Sequence, residues 1–347
     1  MKITKRLFAA LLFTFMICAY AFAQDDTPVA NLEKMNQAMS KISQKYLAYM
    51  STKAHNNNKA KKAEAKRNEL LDQIIESKAD VMGIPPYKGD KTLKESTLAY
   101  LKLTNDVMNE NYEKVVNLEE IAEQSYDNME AYILMQKAIN DKMTEAQDEQ
   151  QKQVEAYCQK YNINLIKDES EMSKKMKKMD DVTNYQNTVY LIFFKCSAQE
   201  SNLMEAIEKK NITAIEQIKG AMVKYADEGL AKLDTLKAYN GDMTLKSSCR
   251  SALEFFKREA DKTAIVTDYY MKEESFTQIK KNFETNASAK SDKAEIDKYN
   301  KAVKEINDAS KQYNQTNKAL NETRDNVYKN WNNAVNTYMD RNIPYAD

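Results

Sequence analysis

A ten-residue stretch occurs twice in this chain, and it constrains the fold more than any other feature. Tyr87-Lys-Gly-Asp-Lys-Thr-Leu-Lys-Glu-Ser96 returns as Tyr239-Asn-Gly-Asp-Met-Thr-Leu-Lys-Ser-Ser248, with seven of the ten positions identical at an offset of 152. Only five Gly occur in the 347 residues, and two of them fall at matched places in this repeat. Gly followed by Asp and then a helical pattern is the chemistry of a tight turn entering a helix. The stretch therefore reads as a helix–helix connection present once in each half of a duplicated protein.

The flanking sequence supports this. Leu32, Met35, Met39, Ile42, Tyr46 and Tyr49 step by three and four and share one helix face. A second helix runs from about Lys59 to Met82 and is stopped by Gly83 and Pro85-Pro86. Thr92 and Glu95 have the spacing of a capping box for a third helix. A fourth begins near Asn117 or Ser125 and ends near Tyr161. After a connecting stretch the order repeats. Tyr185, Val189, Ile192, Cys196 and Leu203 mark one helix, and Ile212, Ile215, Met222, Leu233 and Leu236 the next. The repeated turn follows, then Leu245, Cys249, Leu253, Phe256 and Ala260. The last helix is the clearest. From Ile296 to Tyr338 its stripe alternates steps of three and four, a run of 43 residues, or ~64 Å of helix. Ser310, Asn317 and Arg324 interrupt that stripe, where polar residues set register or line a wet cavity.

The expected fold is all-α, an internal duplication giving two tandem, elongated antiparallel four-helix bundles. A continuous elongated helical array is the alternative. The expected division is a signal peptide over 1–23, a disordered leader over 24–30, and a first helical bundle over 31–165. A linker helix over 166–181, a second helical bundle over 182–342 and a tail over 343–347 complete it.

The signal is read from Lys2, Lys5 and Arg6, the apolar run Leu7 to Ala21, and Ala21-Phe-Ala23 as the cleavage site. Phe15, Met16 and Ile17 before Cys18 are not the small residues that lipoprotein processing prefers, so soluble export is expected rather than an anchor at Cys18. No later run is long enough to span a bilayer. The expected location is extracytoplasmic, periplasm or outer surface, after cleavage near Ala23. Removing the three basic signal residues leaves 52 − 3 = 49 basic against 52 acidic side chains, or −3, which argues against a nucleic-acid binder. Cys158, Cys196 and Cys249 are then an odd number in an exported chain, and buried, unpaired thiols are expected.

Tyr87-Lys-Gly-Asp, Ser125-Tyr-Asp-Asn-Met-Glu-Ala-Tyr132 and Tyr190-Leu-Ile-Phe-Phe-Lys195 together resemble a family of bacterial surface or envelope proteins of spirochaetes and Bacteroidota. Members are exported or lipid-anchored and have no assigned activity. The resemblance covers nearly all of the mature chain. It implies a helical fold at the surface or in the periplasm, and no chemistry.

Catalytic patterns are sparse. His55 is the single histidine, it falls in a polar hairpin, and no phosphate-cradling glycine loop is present. No catalytic, cofactor-binding or metal residues are assigned. Candidate partner-binding residues are His55, Lys59, Lys61, Lys62, Lys66 and Arg67, a basic run that would meet an anionic surface component. Its bland reading is a solvated helix face. Gly89, Asp90, Gly241 and Asp242 are read as structural. Met172, Met176 and Met179 have soft-metal chemistry, but their spacing suits core packing. The expected function is a non-enzymatic, exported helical interaction or scaffold protein of the bacterial envelope, with an unknown envelope protein as partner. Two alternatives stand beside it. One is a module holding a small or lipidic ligand inside a bundle. The other is a carboxylate-based enzyme, which requires two Asp or Glu to converge in one cleft.

Overall fold

The computed structural model describes residues 27–55, 60–122, 125–165 and 171–346. The expected signal peptide, Cys18 and Lys59 lie outside them. The described residues form eight α-helices: α1 Pro28–His55, α2 Ala60–Gly83, α3 Thr92–Ala122, α4 Tyr126–Lys160, α5 Glu171–Glu208, α6 Ile212–Thr235, α7 Thr244–Thr285 and α8 Lys293–Asn342. Among the described residues there is no β-strand. The chain is all-α, and this helix order is compatible with a duplicated four-helix plan.

Helix starts follow capping chemistry. Thr27 Oγ1 accepts the Ala30 amide at 3.1 Å, and Pro28 occupies the first helical position, which suits its fixed φ and missing N–H. So α1 begins inside the stretch expected to be a loose leader. Ser125 accepts from the Asn128 amide and starts α4, which decides between the two expected starts. Asn211 accepts from the Ala214 amide and starts α6.

The repeated stretch folds the same way twice. Gly89 and Gly241 have φ of +82° and +80°, the left-handed region that favours glycine. The preceding Lys88 and Asn240 are also left-handed, at +49° and +47°. Asp90 and Asp242 donate their amides to the Tyr87 and Tyr239 carbonyls, and their carboxylates accept the Thr92 and Thr244 amides at 3.1 and 2.8 Å. Lys94 and Lys246 reach back to the Ile84 and Leu236 carbonyls at 2.8 and 2.7 Å. These lysines tie the end of one helix to the start of the next, which accounts for the repeated Lys. Asp242→Ala should cost about 0.5–2 kcal/mol of stability, the range for a lost turn or cap acceptor. Urea titration measures it, and an unchanged midpoint would overturn the structural reading of this turn.

The chain divides into two compact units. The first comprises residues 27–188 and 335–346, and the second 189–334. The division does not fall at the expected linker. Residues 171–181 are the start of α5, and Met176, Met179 and Val182 are core residues of the first unit. The chain passes between the units inside α5 and again inside α8. In the first unit, Leu32 and Met35 of α1 pack with Leu93 of α3 and Val154, Tyr157 and Cys158 of α4. Tyr338 donates to the Val182 carbonyl at 3.3 Å, which fixes the end of α8 to the start of α5. In the second unit, Phe193 of α5 stacks on Trp331 of α8 with ring centres 4.2 Å apart. Gly229 of α6 is closely covered: a Cβ there would meet Leu253 Cδ1 at 2.8 Å and Ile192 Cγ2 at 3.0 Å, so those side chains would have to shift.

Candidate functional site

Three charged side chains lie on the apolar seams of the second unit. On α5 the stripe Phe193, Cys196, Glu200, Leu203 steps by three and four and puts a carboxyl at a core position. On α7 the stripe Leu245, Cys249, Ala252, Phe256, Glu259, Thr263, Val266 does the same. On α8 the inner position is Arg324. The three converge. Arg324 Nε lies 2.5 Å from Glu200 Oε1, and its Nη2 donates to Glu259 Oε1. The Nε contact is close but misaligned for a hydrogen bond, so it is an electrostatic contact. Tyr328, one turn further along α8, donates its hydroxyl to Glu200 Oε2 at 2.8 Å.

The cluster is sealed. The Glu200 and Glu259 side chains are 4% and 1% exposed, and that of Arg324 is 14% exposed. Burial raises both carboxyls above the ordinary range, while the guanidinium opposes the rise. Glu259 is pushed up to about 7 by burial and then by the charge of Glu200. Burial works against the Arg324 charge, but the two carboxylates outweigh it and raise its pKa. Burial and the Glu200 charge push the Tyr328 hydroxyl well above its usual value. With both carboxylates ionised the cluster carries one excess negative charge in an apolar interior.

This arrangement decides what the polar interruptions of the α8 seam do. Arg324 is engaged with Glu200 and Glu259. Ser310 and Asn317 are half-buried on the same stripe. Two carboxylates do converge, as a carboxylate-based reaction requires, but in a closed interior rather than a cleft. Sequence reasoning had a signal for Arg324 in the interrupted seam. Glu200 and Glu259 carry the same signal, a charge at the inner position of a three–four stripe. They are easily passed over among 52 acidic residues.

No family model, no curated protein and no solved structure matches the chain.

The basic run is not one surface. Lys61 and Lys62 are exposed. Lys66 pairs with Glu69 at 2.7 Å. Arg67 is buried, pairing with Glu64 at 3.0 Å and donating to the Met108 carbonyl at 3.0 Å, so it is withdrawn from any anionic partner. His55 is turned to the C-terminus of its own chain. Its Nδ1 lies 2.9 Å from Asp340, and the Tyr345 ring stacks on it at 3.7 Å. Ala346 donates its amide to Ser51 Oγ at 3.1 Å beside it. Within the expected tail, Tyr345 and Ala346 are thus fastened to the end of α1.

The turn carboxylates serve the fold. Lys160 pairs with Asp90 at 2.7 Å and holds its carboxyl down to about 2, and Tyr161 donates to the same oxygen at 3.3 Å. Met176 and Met179 are core residues. Cys158, Cys196 and Cys249 are buried and form no disulfide among the described residues, and burial pushes Cys196 up to about 12. Such thiols are poor nucleophiles. Among the described residues, no three His, Cys, Asp or Glu side chains gather where they could hold a metal ion.

Proposed function

We propose that this is an exported, non-enzymatic helical interaction or scaffold protein of a bacterial envelope. The observation that carries the reading is the arm made by α7 and α8. The α5–α6 connection meets α7 at Tyr270 and Glu273, through the Tyr270 hydroxyl on the Ile207 carbonyl and a Lys210–Glu273 ion pair. Beyond that level, within residues 274–312, the buried residues are Ala289, Ala302 and Ala309. Two helices alone cannot bury a full apolar stripe. Stacked rings hold the arm together: Tyr269 on Tyr313 at 4.6 Å and Phe283 on Tyr299 at 4.5 Å. Around them Phe276, Ile279, Val303 and Ile306 stay half-buried, and Met271 at the base is 53% exposed.

An arm of paired helices with an unfinished apolar stripe is suited to a protein partner. A catalytic reading has less support, because the convergent carboxylates are sealed. A ligand held inside a bundle also has less support, because Arg324 is engaged with Glu200 and Glu259. No described helix is long and apolar enough to cross a membrane. The export signal and the envelope location rest on the sequence.

Photo-crosslinking residues placed at Gln278 and Lys281 on the arm, and at Asp72 on α2 as a control, test the reading in the cells that make the protein. The expected result is a discrete adduct from the arm positions in the envelope fraction, on a chain whose N-terminus is Gln24. Equal crosslinking from Asp72, or an uncleaved chain in the cytosolic fraction, would overturn it.

A further inference from the structure

The buried cluster has one more carboxylate than it has cations. Glu200 Oε2 accepts the Tyr328 hydroxyl, and its Oε1, which accepts no hydrogen bond, lies 2.5 Å from the Arg324 Nε charge. Glu259 has the guanidinium, but its Oε2 is buried with no hydrogen-bond partner among the described residues. A buried ionised carboxylate needs its lone pairs satisfied, and one that lacks partners takes up a proton instead. The geometry therefore makes Glu200 the ionised member and Glu259 the proton carrier.

Among the described residues no other charge is placed to balance it. From α5 the group facing the cluster is Glu200, from α7 Glu259, and from α8 Arg324 and Tyr328. The charged groups that α6 brings to its neighbours are paired elsewhere, Asp227 with Lys257, Glu228 with Lys195 and Asp234 with Arg250.

We propose that Glu200, Glu259 and Arg324 form a proton-operated latch on α8. With Glu259 protonated the cluster is neutral and α8 is seated between α5 and α7. When the proton leaves Glu259 to solvent, the buried charge becomes −1, and the 324–331 segment of α8 loosens to let water reach the carboxylates. The step is a simple proton dissociation and needs no other reactant. The ordinary range for such a carboxyl is acidic, but burial and the neighbouring Glu200 bring Glu259 to about 7. The latch then operates across neutral pH, where an envelope protein meets changing surroundings.

The protein carries its own reporter. Trp331 is the single tryptophan, and it is 1% exposed. It stacks on Phe193, and Tyr328 packs its edge against the same ring at 5.9 Å, so the aromatic group adjoins the cluster directly. Trp331 emission of the full mature chain should shift to the red in one transition between about pH 6 and 8, as its surroundings become wetter. Infrared difference spectra should show a protonated-carboxyl band lost over the same interval. Glu259→Gln, a neutral isostere, should abolish both transitions and keep the blue emission throughout. His55→Gln should leave both unchanged, which separates the latch from the one histidine. The wild-type measurements stand alone even if Glu259→Gln folds poorly. Constant wild-type emission and infrared spectra from pH 5 to 9, or a transition that survives Glu259→Gln or vanishes with His55→Gln, would overturn the latch.

Discussion

Arg324→Leu should lower the stability of the protein by about 3–5 kcal/mol at pH 7.5, the cost of stranding buried charge when one partner of a buried pair is removed. The side chain itself is a modest loss of packing. Most of the cost comes from Glu200 and Glu259, left 4% and 1% exposed with no cation between them. The loss should shrink in acid, because both carboxyls can then fold neutral. The pH dependence of the wild type has the same sign. A carboxyl raised in the folded state holds a proton there that the unfolded chain has already released. Stability therefore falls as pH rises from about 4.5 through about 7. For Glu259 that interval corresponds to a loss on the order of 3 kcal/mol. Adding Glu200→Gln and Glu259→Gln to Arg324→Leu should recover most of the stability, since uncharged replacements of a buried ion cluster are commonly neutral or better. Urea titrations at pH 5 and 7.5 measure all of this. A single variant as stable as wild type at pH 7.5, or one further destabilised by acid, would show that the cluster is not a compensated buried charge.

Much of the fold was readable because helical chemistry is local. The turn at 239–242 announces itself through Gly, Asp and Thr at fixed offsets, and the geometry repeats that at 87–90 down to the lysine that ties the two helices. The three–four alternation of α8 marks its inner face along the whole helix, and no position on the expected stripe is fully exposed. What a stripe does not say is what covers it. Met172, Met176, Met179, Val182, Gln186 and Val189 continue without a break in step into Phe193 and Glu200. Within that run Asp181 is exposed and Asp180 half-buried. The chain there is the first part of one 38-residue helix. The same limit hides the division between the units, which falls inside α5 and α8 at residues whose local pattern does not change. The candidate site was legible only by halves. A charge on a seam is visible from spacing, but three charges on separate helices meet only once the helices are packed.

Trp331→Ala should cost about 3–5 kcal/mol, the range for removing a large aromatic side chain from a packed core. Trp331 is among the largest fully buried side chains of the protein. Its ring lies nearly parallel to Phe193, 8° between planes, and Phe193 also contacts Tyr328 and Phe256. Removing the indole leaves a void that α5, α7 and α8 would have to close together, and interiors collapse only partly around such voids. Trp331→Phe keeps a ring against Phe193 and should cost distinctly less. Tyr299→Ala supplies the internal comparison. It sits on the same stripe of the same helix, but in the arm, half-buried against Phe276 and Phe283. By burial, its loss should be roughly 1 kcal/mol, below the range for a core ring. Sequence periodicity treats the two positions alike, so the difference between them measures how far the arm departs from the body of its unit. Urea unfolding of the three variants gives it directly. Equal losses at Trp331 and Tyr299 would mean that the arm is covered in solution, and its stripe would then not be open to a partner.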